Sequence, residues 1–372
     1  MHIIISRFSA IGDVAMTIPV IYGLAKANPR HRFTMLTKRG MARIFVNPPR
    51  NLEIIGLDFK GNPLSDWRTL AAAVDSVKDK ARGKRYFVDL HDVLRSRLLA
   101  WVCRTRGFQT LCFDKARKAK KQIISHKPGA EVSSNFIRYA APFARIPGLK
   151  PAAAFHSIFP GGNGDKKLFE HITGVRREGE RWVGIAPFAA HEGKIYPQDL
   201  MKQVIDELAW KGSIRIFLFG GGKHEKEILD AWAAEYDNVT SLAGSGLSLE
   251  AELSLMSHLD LMLTMDSANM HFSSLVGTPS LSIWGATSPV TGFAPYHAPE
   301  SSAPNEYMQI KDLPCRPCSV FGNKPCRTGD YPCLRRLSPS LVAERIIALL
   351  QCQDSTDSTD STDTTRITTT SI

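Results

Sequence analysis

The chain lacks the long apolar run that a membrane-spanning helix needs, and it lacks the commonest signatures of nucleotide and metal enzymes. No G-x-x-x-x-G-K-[ST] occurs, which argues against a P-loop NTPase. Neither Gly12 nor the glycines at 220–222 stand in a G-x-G-x-x-G frame, which disfavours a dinucleotide oxidoreductase, and H-E-x-x-H is missing. Because no stretch is long and apolar enough to span a bilayer, we expect a soluble or peripheral protein.

Cysteine is sparse and odd in number, with seven residues, four of which lie close together in a stretch rich in proline and glycine. The cluster begins with a C-x-x-C, and such a cluster can bind structural zinc through its thiolates. Because the second pair is not a C-x-x-C, reduced thiols packed in a loop are the favoured interpretation, with zinc as the alternative. The residues concerned are Cys315, Cys318, Cys326 and Cys333.

The length and charge of the chain predict two domains and an anionic partner. A chain of 372 residues with 43% hydrophobic content can build two proper cores, and its net charge is +11. That charge fits nucleic acid, a membrane face or a phosphorylated substrate. The first residues resemble a signal peptide weakly, but Arg7 and Asp13 interrupt the apolar stretch, so we expect a folded first strand and a cytoplasmic protein.

Residues 261–285 predict two buried strands separated by a short helix, which is a parallel-sheet unit. An apolar run at residues 261–264 precedes Asp266 and Ser267, which favour a helix start, and an extended run resumes after Gly277. In open α/β sheets, ligands bind beyond the carboxyl ends of the strands, where helix N–H groups point at anions. The residues expected to face a phosphate or sugar are Asp266, Ser267, Ala268 and Asn269. The structural alternative is that Asp266 and Ser267 only cap the helix.

A second unit of the same kind lies upstream. Residues 183–187 predict a strand, and a loop over residues 188–194 ends at Lys194, just ahead of a helix that opens at Pro197. A cation and free amides at a helix N-terminus can jointly hold a diphosphate. The alternative is a solvated surface lysine.

The first strand, residues 3–6, leads into a loop that ends at Asp13. The main helix that follows is expected to start at Pro19, so the Asp13 carboxylate is free to act as a general base on an acceptor hydroxyl. The alternative is that Asp13 caps its own short helical turn.

Residues 78–127 are strongly basic, and Arg95 and Ser96 follow the strand predicted at residues 86–88. Aromatic residues do not alternate with the charges as base stacking requires, so nucleic acid is the weaker interpretation. We expect this stretch to hold an anionic acceptor, with Arg95 reaching the ligand.

Strand-like and helix-like patterns alternate on both sides of a glycine-rich stretch at residues 159–164. In the second half, Ser248 is expected to cap a helix, and the helix after the strand at 214–219 is expected to present Ile228, Leu229, Trp232 and Tyr236 on one face. The expected divisions are a first domain over 1–158, a linker over 159–179, a second domain over 180–337 that includes the cysteine-rich loop, a helix over 338–352, and a disordered tail over 353–372.

Three motifs together resemble glycosyltransferase family 9, the ADP-heptose:lipopolysaccharide heptosyltransferases. They are RFSAIGDVAMTIP, which starts at Arg7 and contains Asp13, KIYP, which starts at Lys194, and DSANMH from Asp266 to His271 with GTPSLSIWG behind it. The similarity extends over most of residues 1–350.

The resemblance implies an α/β protein of the GT-B fold, in which two Rossmann-like domains face a central cleft. The N-terminal domain would bind the acceptor, the C-terminal domain the nucleotide sugar, and the last helix would cross back. The implied transfer is inverting and needs no metal or other cofactor. By motif position, Asp13 is expected to be the general base and Lys194 a catalytic ligand of the diphosphate. The expected donor contacts are Lys194, Glu225, Leu247, Asp266, Ser267, Ala268 and His271, and the expected acceptor contacts are Arg7, Arg95 and Ser96.

The leading hypothesis is an inverting glycosyltransferase that moves heptose, or a related sugar, from a nucleotide diphosphate sugar such as ADP-heptose to a lipopolysaccharide core precursor. The expected partners are that donor, an anionic lipid acceptor and the inner face of the inner membrane, to which the protein binds peripherally, with no nucleic acid. Two alternatives remain, because fold does not fix chemistry. One is a nucleotide-sugar epimerase or hydrolase on the same fold, and the other is a sugar-nucleotide-binding protein without catalysis.

Overall fold

The computed structural model describes residues 1–61, 66–78, 83–298 and 305–356, which fall into two compact units. The first unit comprises Met1–Arg117 and Ser133–Pro160, and the second comprises Lys118–Val132 and the described residues from Gly161 onwards. The segment Lys118–Val132 contacts the rest of the second unit through Lys120, whose ammonium lies 4.2 Å from the centre of the Phe293 ring.

The first part of the chain alternates strands and helices. Its elements are β1 His2–Ser6, α1 Ile11–Ala15, α2 Ile18–Ala27, β2 Arg32–Lys38, α3 Arg39–Ala42, β3 Leu52–Leu57, α4 Trp67–Lys78, β4 Arg85–Asp89, α5 Leu94–Thr105, β5 Gln109–Cys112, α6 Arg117–Ile124 and α7 Asn135–Ala144.

Among the described residues of the first unit, five parallel strands form a sheet in the order β3-β2-β1-β4-β5. Strand β1 is buried along its whole length, as expected of an apolar central strand in a parallel sheet covered on both faces. The order of strands changes direction between β1 and β4, whose last residues, Ser6 and Asp89, are paired in register. The loops that leave these two strands diverge, and the crevice between them is where α/β proteins bind ligands.

The second unit repeats the pattern. After a 3₁₀ turn at Lys166–Leu168, its elements are α8 Glu170–Thr173, β6 Arg181–Ala186, a 3₁₀ turn at Glu192–Lys194, α9 Gln198–Ala209, β7 Ile214–Leu218, α10 Lys223–Ala233, β8 Val239–Ser241, α11 Leu249–Met256, β9 Leu261–Met265, α12 Ala268–Val276, β10 Ser280–Ile283, a 3₁₀ turn at Pro289–Thr291, β11 Asn305–Met308, α13 Pro332–Arg335 and α14 Pro339–Thr356.

The second sheet has six parallel strands in the described residues, in the order β11-β10-β9-β6-β7-β8. This is the strand order of the dinucleotide-binding Rossmann fold, with the change of direction between β6 and β9. Lys194 follows β6 and Asp266 follows β9. The sheet topology therefore brings two residues from separate motifs to one crevice.

Two expected local features are confirmed and one needs correction. The Ser248 hydroxyl accepts a hydrogen bond from the N–H of Ala251 and so caps α11, and Leu229 is buried on the inner face of α10. However, α10 ends at Ala233, so Tyr236 packs from the loop beyond the helix rather than from its face. There the Tyr236 hydroxyl bonds to the Asp206 carboxylate.

The stretch expected to be a linker over residues 159–179 is partly structured and packs on the second unit. Gly164 donates to the Ser257 hydroxyl at 2.8 Å, and the Phe169 ring packs against Trp182. The glycine-rich composition predicts a hinge, but the burial of Phe169 fixes the residues that follow it.

The last helix, α14, packs against α9 and contributes Val342, Ala343 and Ile346 to the core of the second unit. It continues to Thr356, four residues beyond the predicted end at 352, and the rest of the predicted tail, residues 357–372, lies outside the described residues. The predicted crossing of this helix back to the first domain stays a prediction. Among the described helices, none has the length and apolar content needed to cross a bilayer.

Candidate active site

Lys194 and Asp266 form an ion pair at the crevice of the second unit. The Lys194 Nζ lies 2.8 Å from Asp266 Oδ2, and the two side chains are only 16% and 6% exposed. The Thr287 hydroxyl, in the loop after β10, donates to the same Oδ2 at 2.8 Å. The Asp266 carboxylate is therefore occupied in holding Lys194 and does not cap the helix that follows.

The N-terminus of α12 is left open beside this pair. Ser267 occupies the cap position with extended backbone, but its side chain makes no capping bond. Its hydroxyl oxygen is buried and has no hydrogen-bond partner among the described residues. The first amides of a helix have no intrahelical partner, so an uncapped N-terminus attracts anions. The interpretation of Asp266 and Ser267 as ordinary helix caps is therefore wrong.

The cysteine-rich loop packs against the stem of Lys194. Gly322 has a φ of +74°, and a Cβ added there would stand 2.6 Å from the Lys194 Cγ. The Arg316 guanidinium fastens the loop by donating to the carbonyl oxygens of Gly285 at 2.5 Å and Thr287 at 2.8 Å. The loop thus holds the lysine from one side while Asp266 holds its charged end. A lysine restrained in this way is not a solvated surface residue.

The thiols of Cys315, Cys318, Cys326 and Cys333 are not joined in disulfides. Over the ranges that the structure describes, no group of three or more His, Cys, Asp or Glu side chains is placed to hold a metal ion. The structure gives the loop a packing role beside Lys194, and the expectation of reduced thiols rather than zinc stays a prediction.

The other expected donor residues lie at the same edge of the second sheet. Ala268 begins α12, and His271 is buried one turn further on. Glu225, in the first turn of α10 after β7, accepts a hydrogen bond from the Gly221 N–H at 2.7 Å. Leu247 lies in the loop between β8 and α11. All of them follow the carboxyl ends of strands, and their contacts with a donor stay predictions.

In the first unit, Arg7 and Asp13 lie together after β1. The Arg7 guanidinium contacts Asp13 Oδ2 at 2.8 Å and donates to the Leu90 carbonyl oxygen at 2.6 Å, which ties the β1 loop to the β4 loop. Asp13 also accepts from the Ala10 N–H at 3.3 Å, so it caps the short helix α1. The expected capping alternative is therefore real. Because the Asp13 side chain is still 20% exposed, capping does not remove it from contact with a substrate.

Two aromatic residues that the sequence did not single out complete this cluster. Tyr139 of α7 is fully buried and its hydroxyl bonds to the Asp13 carboxylate. Burial raises the pKa of Tyr139, so the hydroxyl stays protonated and donates. His91, after β4, accepts from the Phe8 N–H at 3.4 Å, and burial together with the charge of Arg7 lowers its pKa to about 3. Nothing local in the sequence marks either residue, because their roles come from contacts between distant segments.

The expected acceptor contacts Arg95 and Ser96 are engaged within the protein. The Arg95 guanidinium pairs with the buried carboxylate of Asp66 at 2.9 Å and packs over the Phe59 ring. Ser96 is fully buried, and its hydroxyl donates to the Val93 carbonyl oxygen at the start of α5. Ser96 therefore offers no surface to an acceptor, because the polar Arg95-Ser96 pair begins a helix and is used to hold it.

Two Rossmann-type units, one with a cation and an open helix N-terminus and the other with a carboxylate beside its first strand, have the architecture of the GT-B fold. Solved structures share the fold. The glycosyl transferase family 9 protein from Veillonella parvula matches with a TM-score of 0.71 at 17% identity, covering 94% of this chain and 97% of that one. The Escherichia coli heptosyltransferase WaaC, solved with ADP, matches with a TM-score of 0.61 at 18% identity, covering 94% and 100%. The predicted α/β architecture of the GT-B class is confirmed.

The sequence comparisons then give the family. Residues 163–318 match the model described as glycosyltransferase family 9 (heptosyltransferase). Lipopolysaccharide heptosyltransferase 1 of Pseudomonas aeruginosa is 23% identical over 372 residues, which cover 94% of this chain and 98% of that protein. These matches confirm the resemblance to glycosyltransferase family 9 that the three motifs predict.

Proposed function

We propose that the protein transfers a heptose from ADP-heptose to a lipopolysaccharide core precursor, with inversion at the anomeric carbon. The observation that carries the proposal is the Lys194–Asp266 pair beside the open N-terminus of α12. Two similar proteins support the choice of heptose as the sugar and ADP as the nucleotide. The relative from P. aeruginosa is a lipopolysaccharide heptosyltransferase, and the similar E. coli structure was solved with ADP. The acceptor would then be presented at the inner face of the inner membrane.

In this proposal the second unit holds the donor. The diphosphate binds at the first amides of α12, where Ser267 supplies a hydroxyl and Lys194 a full positive charge. As the bond from the anomeric carbon to the diphosphate breaks, negative charge builds on the leaving oxygen, and a preorganised cation stabilises that charge. Asp266, itself held by the Thr287 hydroxyl, keeps Lys194 in position, so little free energy is needed to order the lysine during the reaction.

The first unit supplies the base. The acceptor hydroxyl oxygen attacks the anomeric carbon from the face opposite the diphosphate, and its proton passes to the Asp13 carboxylate. Arg7 and the Tyr139 hydroxyl fix the orientation of that carboxylate, while its exposed portion is available to the substrate. Attack from the opposite face inverts the anomeric configuration.

A nucleotide-sugar panel tests the donor. Thermal unfolding of the wild-type protein is measured with ADP-, UDP-, GDP- and CDP-linked sugars, because a ligand at a hundredfold excess over its Kd stabilises the folded state by about 2.7 kcal/mol. ADP-heptose should raise the Tm most, and Lys194→Ala should lose most of that shift. Lys202→Ala, which removes a lysine paired with Asp206 on α9, is the matched control and should keep it. A larger shift from another nucleotide would refute the donor, and no shift from any would refute donor binding altogether.

A further inference from the structure

Helix α5 of the first unit carries an exposed stripe of apolar and basic side chains. Leu94, Arg97, Trp101 and Arg104 are spaced three, four and three residues apart, which places them on one face of the helix. Leu94 and Trp101 are 60% and 57% exposed, and the Arg97 side chain is 62% exposed. The opposite face of α5 fills the core of the unit, so packing of the first unit does not explain the stripe.

The neighbouring helix α4 lies against another side of α5. Ion pairs from Asp66 to Arg95 at 2.9 Å and from Asp75 to Arg106 at 2.7 Å join the two segments. At about 100° per residue, Arg95 and Arg106 lie on the side of α5 away from the stripe, so α4 leaves the stripe uncovered.

The charge on this surface is positive. Arg97 and Arg117 both pair with a single carboxylate, that of Asp92, at 2.8 Å and 3.0 Å. Arg104 donates to the neutral hydroxyl of Thr110. Three guanidinium groups therefore share one negative charge at and beside the stripe, and the remaining charge favours an anionic partner.

We propose that the stripe of Leu94, Arg97, Trp101 and Arg104 is the surface on which the protein docks to an anionic lipid bilayer. The proposal rests on the proposed function, in which the acceptor is a lipid. Tryptophan rings settle at the level of the lipid headgroups, and arginine side chains near them attract anionic lipids while their stems cover apolar surface. A helix with this combination on one face binds in the plane of the interface without crossing the membrane.

Vesicle sedimentation tests the surface with no sugar substrate present. Binding is compared on vesicles of phosphatidylcholine alone and of phosphatidylcholine with phosphatidylglycerol. The wild-type protein should bind the anionic vesicles, and both Trp101→Ser and the double variant Arg97→Glu with Arg104→Glu should bind them at least about tenfold more weakly. The controls are Trp210→Ser and Lys223→Glu in the second unit, whose side chains are more open to solvent than those of Trp101 and Arg97, and both should bind within about twofold of wild type.

Three outcomes would overturn the proposal. The first is that the wild-type protein does not bind anionic vesicles. The second is that the stripe variants bind these vesicles as wild type does, while circular dichroism shows that they are folded. The third is loss of a concentration-dependent dimer in Trp101→Ser, which would make the stripe an interface between copies. Turnover on a detergent-dispersed acceptor separates this inference from the proposed function. It should be unchanged in Trp101→Ser, and a wild-type protein that binds vesicles but transfers no sugar would refute the function alone.

Discussion

At the scale of single residues, the account depends most on Asp13. Asn at this position keeps the shape of the side chain and can still accept from the Ala10 N–H, but it removes the basicity. A well-placed carboxylate base contributes roughly 10²–10⁴-fold to the rate. We therefore expect Asp13→Asn to lose at least about a hundredfold in kcat, measured by steady-state transfer, and to bind the donor with an unchanged Kd.

The control for this substitution is Asp75→Asn, which breaks another arginine–carboxylate pair of the first unit on α4. It should keep its kcat, so that a loss seen only at position 13 reports chemistry rather than a broken ion pair. If the folded Asp13→Asn protein turned over at the wild-type rate, Asp13 would be the cap of α1 and nothing more.

His91 makes stability depend on pH. Its pKa falls from 6.5 to about 3 on folding, mainly through burial, so below pH 6.5 the unfolded chain binds a proton that the folded protein does not. The contribution of His91 to the free energy of unfolding is therefore fully present above pH 6.5 and is lost as the pH drops towards 3. Between pH 7 and pH 5 the loss from this group should be about 2 kcal/mol.

Urea unfolding at the two pH values checks this expectation, with His91→Gln as the comparison. Gln has no titrating group, so the variant should lose less stability than wild type on going to pH 5. Equal losses in the two proteins would mean that His91 is protonated in the folded state or exposed.

At the scale of structural elements, the cysteine-rich loop is a support for Lys194. Ala at Gly322 would adopt a left-handed backbone conformation, which costs about 1–2 kcal/mol, and its Cβ would press on the Lys194 stem, which adds about 1–3 kcal/mol. Gly329→Ala is the matched control in the same loop, because its φ is +84° but no atom lies within 4 Å of an added Cβ. Chemical denaturation should show the larger loss at position 322.

Donor binding separates the two variants further. Gly322→Ala should raise the Kd for the donor because the lysine is displaced, whereas Gly329→Ala should leave it unchanged. Equal donor affinities in the two variants would show that the loop does not position Lys194.

The elements themselves are readily predicted, and the contacts between them are not. The strand at residues 261–264, the helix at Pro197 and the cap at Ser248 each follow from a few neighbouring residues, and the structure has all three within one or two positions. Thr287, Gly322 and Tyr139 contact the site from segments far along the chain, so no local pattern marks them. The ion pair of Arg95 could not be predicted either, since its partner, Asp66, lies 29 residues away, and its contact with an acceptor stays a prediction.

At the scale of the whole molecule, the two units have the same arrangement of strands and polar residues. Each has a Rossmann-type sheet, and in each the polar residues stand after the two strands between which the strand order changes direction. Arg7 and His91 follow β1 and β4, and Lys194 and Asp266 follow β6 and β9. The first unit presents a carboxylate, and the second presents a cation and helix amides. We therefore assign the general base to the first unit and donor binding to the second.

Heptose transfer is tested most directly by an assay with ADP-heptose and a heptose-free lipopolysaccharide core precursor, followed by mass spectrometry and by NMR at the anomeric carbon. We expect a product heavier by one heptose with inverted anomeric configuration, and ADP release that depends on the acceptor. ADP released equally fast without acceptor would indicate a hydrolase, a product of retained configuration would exclude direct attack assisted by Asp13, and an absence of product would contradict the proposed transfer.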